Sequence, residues 1–358
     1  MILLKALTWL PTIGLTLIVA MAVMPAAAQP SALPGQRAGD FVLRDFRFHS
    51  GETLPELRQH YTVLGNPAGE AVLILHGTGG NGAGMIGGFA AMFAAGAPLD
   101  AATHFIILPD AIGHGRSSKP SDGMKAKFPR YNYDDMVATQ YRLLTEGLGV
   151  KHLRLVIGNS MGGMETWVWG VKYPAMMDGI VPLASQPTAM ASRNWMMRKL
   201  VIETIKADPA YKGGDYTSPP PSMKYANAFF SIGTSGGNLG WQARTANHAA
   251  ADKTIDDMLA RPENGDANDT IWQLDASRDY DPAPSLGNIT AAVLAVNSAD
   301  DERNPPELGT TDAAIKKLKN ARYYLIPASS ETRGHGTAGN ITLWRAQFTE
   351  WLAGVPKR

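Results

Sequence analysis

An apolar run, Leu155-Val156-Ile157, leads into Gly158-Asn159-Ser160-Met161-Gly162, and helix-compatible residues from Glu165 to Tyr173 follow closely. A strand that ends in Gly-x-Ser-x-Gly and turns straight into a helix is the junction at which a nucleophilic serine is held above a parallel sheet. The glycines are a steric requirement. Where a strand turns this sharply, backbone and side chains crowd positions 158 and 162 too closely for a larger residue. Ser160 is then strained, with its hydroxyl exposed. The five residues alone also fit a glycine-rich turn with an incidental serine, so the rest of the chain decides between the two.

Around this junction the chain alternates strands and helices. Phe41 to Phe48 alternates apolar and charged residues, as a half-exposed strand does, and Gln59 to Leu64 is its hairpin partner across Gly51-Glu52. Ala71 to Leu75 and Phe105 to Leu108 are continuously apolar, the mark of strands covered on both faces. Gly179 to Leu183, Ala291 to Val296 and Tyr323 to Ile326 extend the series, with helices over Tyr133–Leu148, Leu308–Leu318 and Ile341–Leu352. This pattern predicts an α/β fold, a mostly parallel central sheet with helices on both faces. Between residues 185 and 286 the rhythm breaks. A helical stretch from Trp195 to Lys206, a Pro/Gly-rich crossing and further helical pieces read as a mainly helical cap. The cap is inserted between core segments 29–184 and 287–358.

The first 28 residues read as a secretory signal. Lys5 precedes a nearly all-apolar stretch from Ala6 to Met24, and Ala26-Ala27-Ala28 supplies small residues for cleavage before Gln29. An uncleaved membrane anchor is the competing reading. Pro11, Pro25 and the Ala-x-Ala site favour cleavage, which leaves about 330 residues, enough for one large domain with a cap, and no stable membrane insertion. The chain has no cysteine, so no lipid anchor or disulfide is available. Export without cysteine suits a periplasmic or secreted protein. The net charge of +1 and the lack of a basic run argue against nucleic acid as a partner. Oligomeric state is not readable.

A serine hydroxyl needs a base, normally a histidine oriented by a carboxylate. In folds with this junction the order along the chain is nucleophile, acid, histidine. After Ser160, the strand ending at Val296 runs into Asn297-Ser298-Ala299-Asp300-Asp301, and His335 lies in Gly334-His335-Gly336 after the last strand. His335 is the candidate base; only His248, in the cap, also follows the serine. Asp300 and Asp301 are both candidate acids. Asp301 is preferred because it stands four residues before Pro305, as the acid commonly does in this fold. The oxyanion formed on attack calls for two backbone donors, assigned to the N–H groups of Met161 and of Thr78 in His76-Gly77-Thr78-Gly79-Gly80. His76 and His114 read as packed, hydrogen-bonded loop residues. No His-x-x-x-His or similar spacing supports a metal site, and no cofactor is called for.

These residues resemble the α/β-hydrolase superfamily and, within it, the homoserine O-acetyltransferase branch. The similarity lies in Phe128-Pro129, Asp135-Met136-Val137-Ala138-Thr139-Gln140, Leu148-Gly149-Val150, Gly158 to Met164 and Ala207-Asp208-Pro209-Ala210-Tyr211-Lys212-Gly213-Gly214-Asp215-Tyr216. The resemblance implies a Ser160–Asp301–His335 triad and an acyl-serine intermediate. It departs where the acceptor is held. The family's cap-helix arginine is here Ile202, with Arg198 a turn earlier, and the aspartate that follows its histidine is here Gly336. The glycine before its serine is here Asn159, and a glutamine on the following helix is here Glu165.

The expected activity is therefore an exported serine hydrolase acting on a small acyl substrate. An O-acyltransferase with another acceptor is the alternative, and a binding protein that kept the fold without catalysis is a third. Trp195, Trp241, Trp272, Met190, Met196 and Met197 fit either an apolar acyl pocket or plain cap packing.

Overall fold

The computed structural model describes residues 33–263 and 265–358; the signal segment read in residues 1–28 lies outside them. Strands β1 (Arg37–Arg47) and β2 (Thr53–Gly65) form an antiparallel hairpin, longer than the alternation alone indicated. Strand β3 (Glu70–Leu75), helix α1 (Met85–Phe93), β4 (His104–Pro109) and α2 (Tyr133–Arg142) follow. Asn132 caps α2, accepting from the Asp135 N–H at 3.0 Å. The helix expected to run to Leu148 becomes a π-helical turn over Leu143–Gly147.

Strand β5 (Leu153–Asn159), α3 (Met161–Lys172) and β6 (Met177–Leu183) come next. An insertion then carries α4 (Ser192–Lys206), α5 (Met223–Ile232), α6 (Asn238–Arg244), α7 (His248–Leu259) and α8 (Ala267–Asp275). The chain returns with β7 (Ala292–Ser298), a short α9 (Thr310–Ile315), β8 (Ala321–Ile326) and α10 (Arg345–Ala353).

The described residues form one eight-stranded sheet in the order β1-β2-β4-β3-β5-β6-β7-β8. Beyond the antiparallel β2 all neighbours are parallel, each return being made by a helix. The all-apolar strands are explained by the two cores they serve. On β3, Leu73 and Leu75 face the layer that holds α2 and α3, whereas Val72 and Ile74 face the layer of α1 and α10. Each such side chain contributes about 1.5–3 kcal/mol of burial. Register then brings the strand ends together: Leu75 pairs with Gly158, Asn159 with Leu183, and Leu183 with Val296. The segments leaving β3, β5, β6 and β7 therefore meet at the carboxyl edge of the sheet, where ligand sites of such sheets lie.

Candidate active site

Ser160 occupies the turn between β5 and α3 with φ 57° and ψ −110°. A non-glycine residue in that region stores about 1–3 kcal/mol of strain, offset by its surroundings. Those surroundings leave no room for alternatives. A Cβ at Gly158 would lie 2.0 Å from the Gly162 carbonyl oxygen, and one at Gly162 would lie 2.4 Å from the Leu75 carbonyl oxygen. The two glycines thus let the strand, the helix and β3 close upon one another, and the serine is left at the crest.

His335 Nε2 stands 2.7 Å from Ser160 Oγ. Its Nδ1 lies 3.0 Å and 3.2 Å from the two oxygens of Asp301, so the Nδ1–H donates to that carboxylate and Nε2 is free to accept from the serine. Asp301 is 1% exposed and His335 6%. Burial would raise the Asp301 carboxyl, but the neighbouring His335 and the N–H groups of Asn304 and Arg303 outweigh it and hold the group below the ordinary carboxylate range. The N–H of Arg303 donates to Oδ1 at 2.8 Å and that of Asn304 at 3.1 Å. The Asn304 amide donates to the Ala184 carbonyl at 2.9 Å, tying the acid loop to the end of β6.

Asp300 points elsewhere. Its Oδ2 accepts from Thr332 Oγ1 at 2.6 Å and from the Gly334 N–H at 3.3 Å, and its Oδ1 accepts from Ser298 Oγ. It ties the acid loop to the segment that presents His335. Gly237, from the insertion, packs on the same spot; a Cβ there would meet Asp300 Oδ2 at 2.1 Å and the Gly334 nitrogen at 2.8 Å. The two adjacent aspartates therefore have separate positions, one facing the imidazole and one bracing its loop.

The other predicted residues fall around this line. Met161 opens α3, where the helix dipole adds partial positive charge to its N–H. Gly77 comes close enough that an added Cβ would lie 3.5 Å from Ser160 Cβ, which sets the Thr78 turn beside the serine. His76 accepts the Ala111 N–H on Nε2 at 3.0 Å and donates from Nδ1 to the Gly77 carbonyl at 2.8 Å. Burial lowers its pKa, so it is a neutral strut. His114 is pushed down to about 3 by burial and the adjacent His76, and its Nδ1–H donates to the Ile112 carbonyl at 2.9 Å. Trp272 donates to the Phe128 and Pro129 carbonyls at 3.1 Å and 3.2 Å, while Met196 is 69% exposed; both belong to packing or surface. Among the described residues no group of three or more His, Asp or Glu is arranged to hold a metal ion.

Three residues meet at the seam between the insertion and the sheet, of which sequence reasoning gave no role to Asn194 or Arg303 and noted Arg198 only as an arginine a turn before Ile202. Asn194 and Arg198 of α4 and Arg303 of the acid loop are all buried. Arg198 Nε and Arg303 Nη1 both donate to Asn194 Oδ1, at 3.1 Å and 3.4 Å. Sequence signals existed only for Arg198, as an arginine on the buried side of an insertion helix. Glu165 is buried too. It is pushed up to about 8 by burial, partly offset by Gln140, whose Nε2 donates to Oε2 at 2.5 Å.

The model of the alpha/beta hydrolase fold family matches residues 70–223. A probable acyltransferase of Methanothermobacter thermautotrophicus is 28% identical over 285 residues, covering 77% of this chain and 86% of that protein. An ethyl acetate hydrolase of Pseudomonas veronii is 37% identical over 229 residues, covering 58% of this chain and 64% of that one. The crystal structure of homoserine O-acetyltransferase from Bacillus anthracis superposes with a TM-score of 0.80 at 20% identity, over 91% of this chain and 100% of that one.

Proposed function

We propose that this chain, which has the α/β-hydrolase fold and is similar to acyltransferases and esterases of that fold, is a serine hydrolase that cleaves a carboxylic ester or a related acyl bond. The hydrogen-bonded line from Ser160 through His335 to buried Asp301 carries this reading. His335 Nε2 takes the serine proton as Oγ bonds to the acyl carbon, and the carbonyl electron pair moves onto oxygen. That oxygen is met by the N–H groups of Met161 and Thr78, each contributing about 3–4 kcal/mol to the barrier reduction. Collapse of the tetrahedral species breaks the bond to the alcohol oxygen, which leaves with the proton from Nε2. Water then attacks the acyl-serine with His335 again as base, and the serine departs reprotonated. Throughout, Asp301 holds the Nδ1–H and stabilises the imidazolium.

Ser160→Ala is expected to lower turnover of short 4-nitrophenyl esters by at least about 10³-fold; near-normal turnover would refute the mechanism. A second reading, transfer of the acyl group to an alcohol, is supported by the similarity to an acyltransferase. Product analysis under excess alcohol separates the two, since transfer requires a new ester and hydrolysis yields only acid. The protein acts outside the cytoplasm under this proposal, with residues 1–28 removed. N-terminal sequencing of the exported protein should begin at Gln29, and a chain retained whole in the cytoplasm would refute export.

A further inference from the structure

The outer side of the insertion carries apolar side chains that the core does not use. Among the described residues eleven large apolar side chains are exposed, and six of them lie on α4, α5 and α6: Met196, Leu200, Tyr225, Phe229, Ile232 and Leu239. Their spacing is helical. Met196 and Leu200 share one side of α4, away from its buried Val201, Ile202 and Ile205, and Tyr225, Phe229 and Ile232 share one side of α5, away from its buried Met223 and Ala226.

The two stripes are neighbours, because α4 and α5 run antiparallel. At one end Asp208, just beyond α4, accepts from the Ser222 N–H ahead of α5 at 2.8 Å. At the other end Met197 lies so close to Gly233 that an added Cβ would meet its Cε at 1.9 Å. This pairing sets Met196 and Leu200 beside Ile232 and Phe229 on the solvent side of the two helices. Trp241 Nε1 donates to the Ile232 carbonyl at 3.3 Å, which seats α6, with Leu239, at the same end.

The charge around this face is one-sided. Helices α4, α5 and α6 carry six basic residues and one acidic residue, in a chain whose 33 basic and 32 acidic residues otherwise nearly cancel. Arg198 is buried, whereas Arg193, Lys199, Lys206, Lys224 and Arg244 lie at the surface. Glu203 faces Lys199 at 2.5 Å and Glu302 of the acid loop faces Arg193 at 3.6 Å, so five cations less two carboxylates leave an excess of three. The next helix is the contrast, since α7 exposes Ile255 among three aspartates and one lysine.

Long cationic side chains around an apolar stripe match an anionic lipid surface: the stripe enters the headgroup layer and the cations stay with the phosphates. A second copy docked on the same face would set one cationic rim against another, which is repulsive. No described helix is long and apolar enough to cross a membrane, so the contact is peripheral. We infer that the α4–α6 face of the insertion is a docking surface for an anionic phospholipid membrane. The inference goes beyond the hydrolase reading and does not depend on it.

The test is co-sedimentation of the exported protein with vesicles of phosphatidylcholine alone and with vesicles of phosphatidylcholine and phosphatidylglycerol in equal parts. Partition onto the anionic vesicles is expected to exceed that onto the neutral ones by at least about tenfold at low salt and to fall as salt rises, since each cation at such a surface contributes about fivefold. Lys206→Glu/Lys224→Glu should lower that ratio at least about tenfold. Leu200→Ser/Phe229→Ser should lower partition onto the anionic vesicles by at least about tenfold with a thermal midpoint close to wild type, because both side chains are exposed. A leader still attached acts alike in wild type and variants and cancels in the comparison. Ile255→Ser, on acidic α7, should change nothing. Equal partition onto the two vesicles, variants that bind as the wild type does, or an equal loss with Ile255→Ser each overturn the lipid surface. Sedimentation velocity covers the other occupant: a dimer that Leu200→Ser/Phe229→Ser converts to monomer, in a protein that binds neither vesicle, would assign the face to a second copy and overturn the inference.

Discussion

Glu165 offers a test whose sign separates two electrostatic pictures of the site. The residue is 1% exposed, its Oε2 accepts from the Gln140 amide, and Trp169 Nε1 fixes that amide by donating to Gln140 Oε1 at 2.8 Å. No donor reaches Oε1. Burial raises the carboxyl from its ordinary value of 4.5 to about 8. Between those two values the folded protein holds a proton that the unfolded chain has released, so stability falls as pH rises, by about 1.4 kcal/mol per pH unit. Glu165→Gln keeps the shape and the acceptor toward Gln140 and removes the titration. From pH 5 to pH 7.5 the variant should therefore gain on the wild type by about 3 kcal/mol. Urea unfolding at half-unit pH steps measures the gap. If Glu165 were instead ionised and served as the counter-charge of Arg198, the variant would be the less stable protein at pH 7. A gap that stays constant or reverses would refute the neutral carboxyl.

The adjacent aspartates predict unequal effects. Asp301→Asn should lower kcat by about 10³–10⁴-fold with little change in thermal midpoint, because the imidazole loses its orienting acceptor. Asp300→Asn should leave more activity, a loss of about tenfold, together with a lower midpoint as the Thr332 and Gly334 contacts loosen; equal kcat losses would show that the two were assigned wrongly. Gly158→Ala would force a Cβ to 2.0 Å from the Gly162 oxygen. It should lower the midpoint by several degrees and abolish labelling of Ser160 by a fluorophosphonate, and retained labelling would show that the elbow tolerates the movement.

The elbow and the strands around it were legible because their constraints are local. Gly158 and Gly162 are needed by contacts with the strand and helix they join, and continuous apolar runs follow from cover on both faces. Helix α1 was not legible. Its Gly87 and Gly88 each weaken a helix by about 1 kcal/mol, and burial of Phe89, Met92 and Phe93, with Phe89 against Trp344 at a ring-centroid distance of 6.2 Å, keeps it in place. The helix expected over Leu308–Leu318 shrinks to Thr310–Ile315 for a related reason. Pro305 and Pro306 hold a short 3-10 turn before it, and Gly309 is left-handed at φ 65°. Distant partners decide these segments, and a single window of sequence does not contain them.

The acid loop shows why the seam was the hardest part to read. Within seven residues its side chains diverge: Ser298 and Asp300 brace the histidine segment, Asp301 faces the imidazole, Arg303 enters the insertion, and Asn304 reaches back to β6. Sequence order left Asp300 and Asp301 as candidate acids, and the spacing to Pro305 favoured Asp301. The guanidinium two residues later gains meaning only when α4 delivers Asn194 and Arg198 from more than a hundred residues away. This loop thus ties what orients the base to the seam with the insertion. Changing Arg303 would disturb Asp301 through the shared turn, so its effect on kcat and KM would be mixed. Arg198 enters from α4 with no hydrogen bond to the triad, so its replacement should leave the Asp301–His335 contact in place.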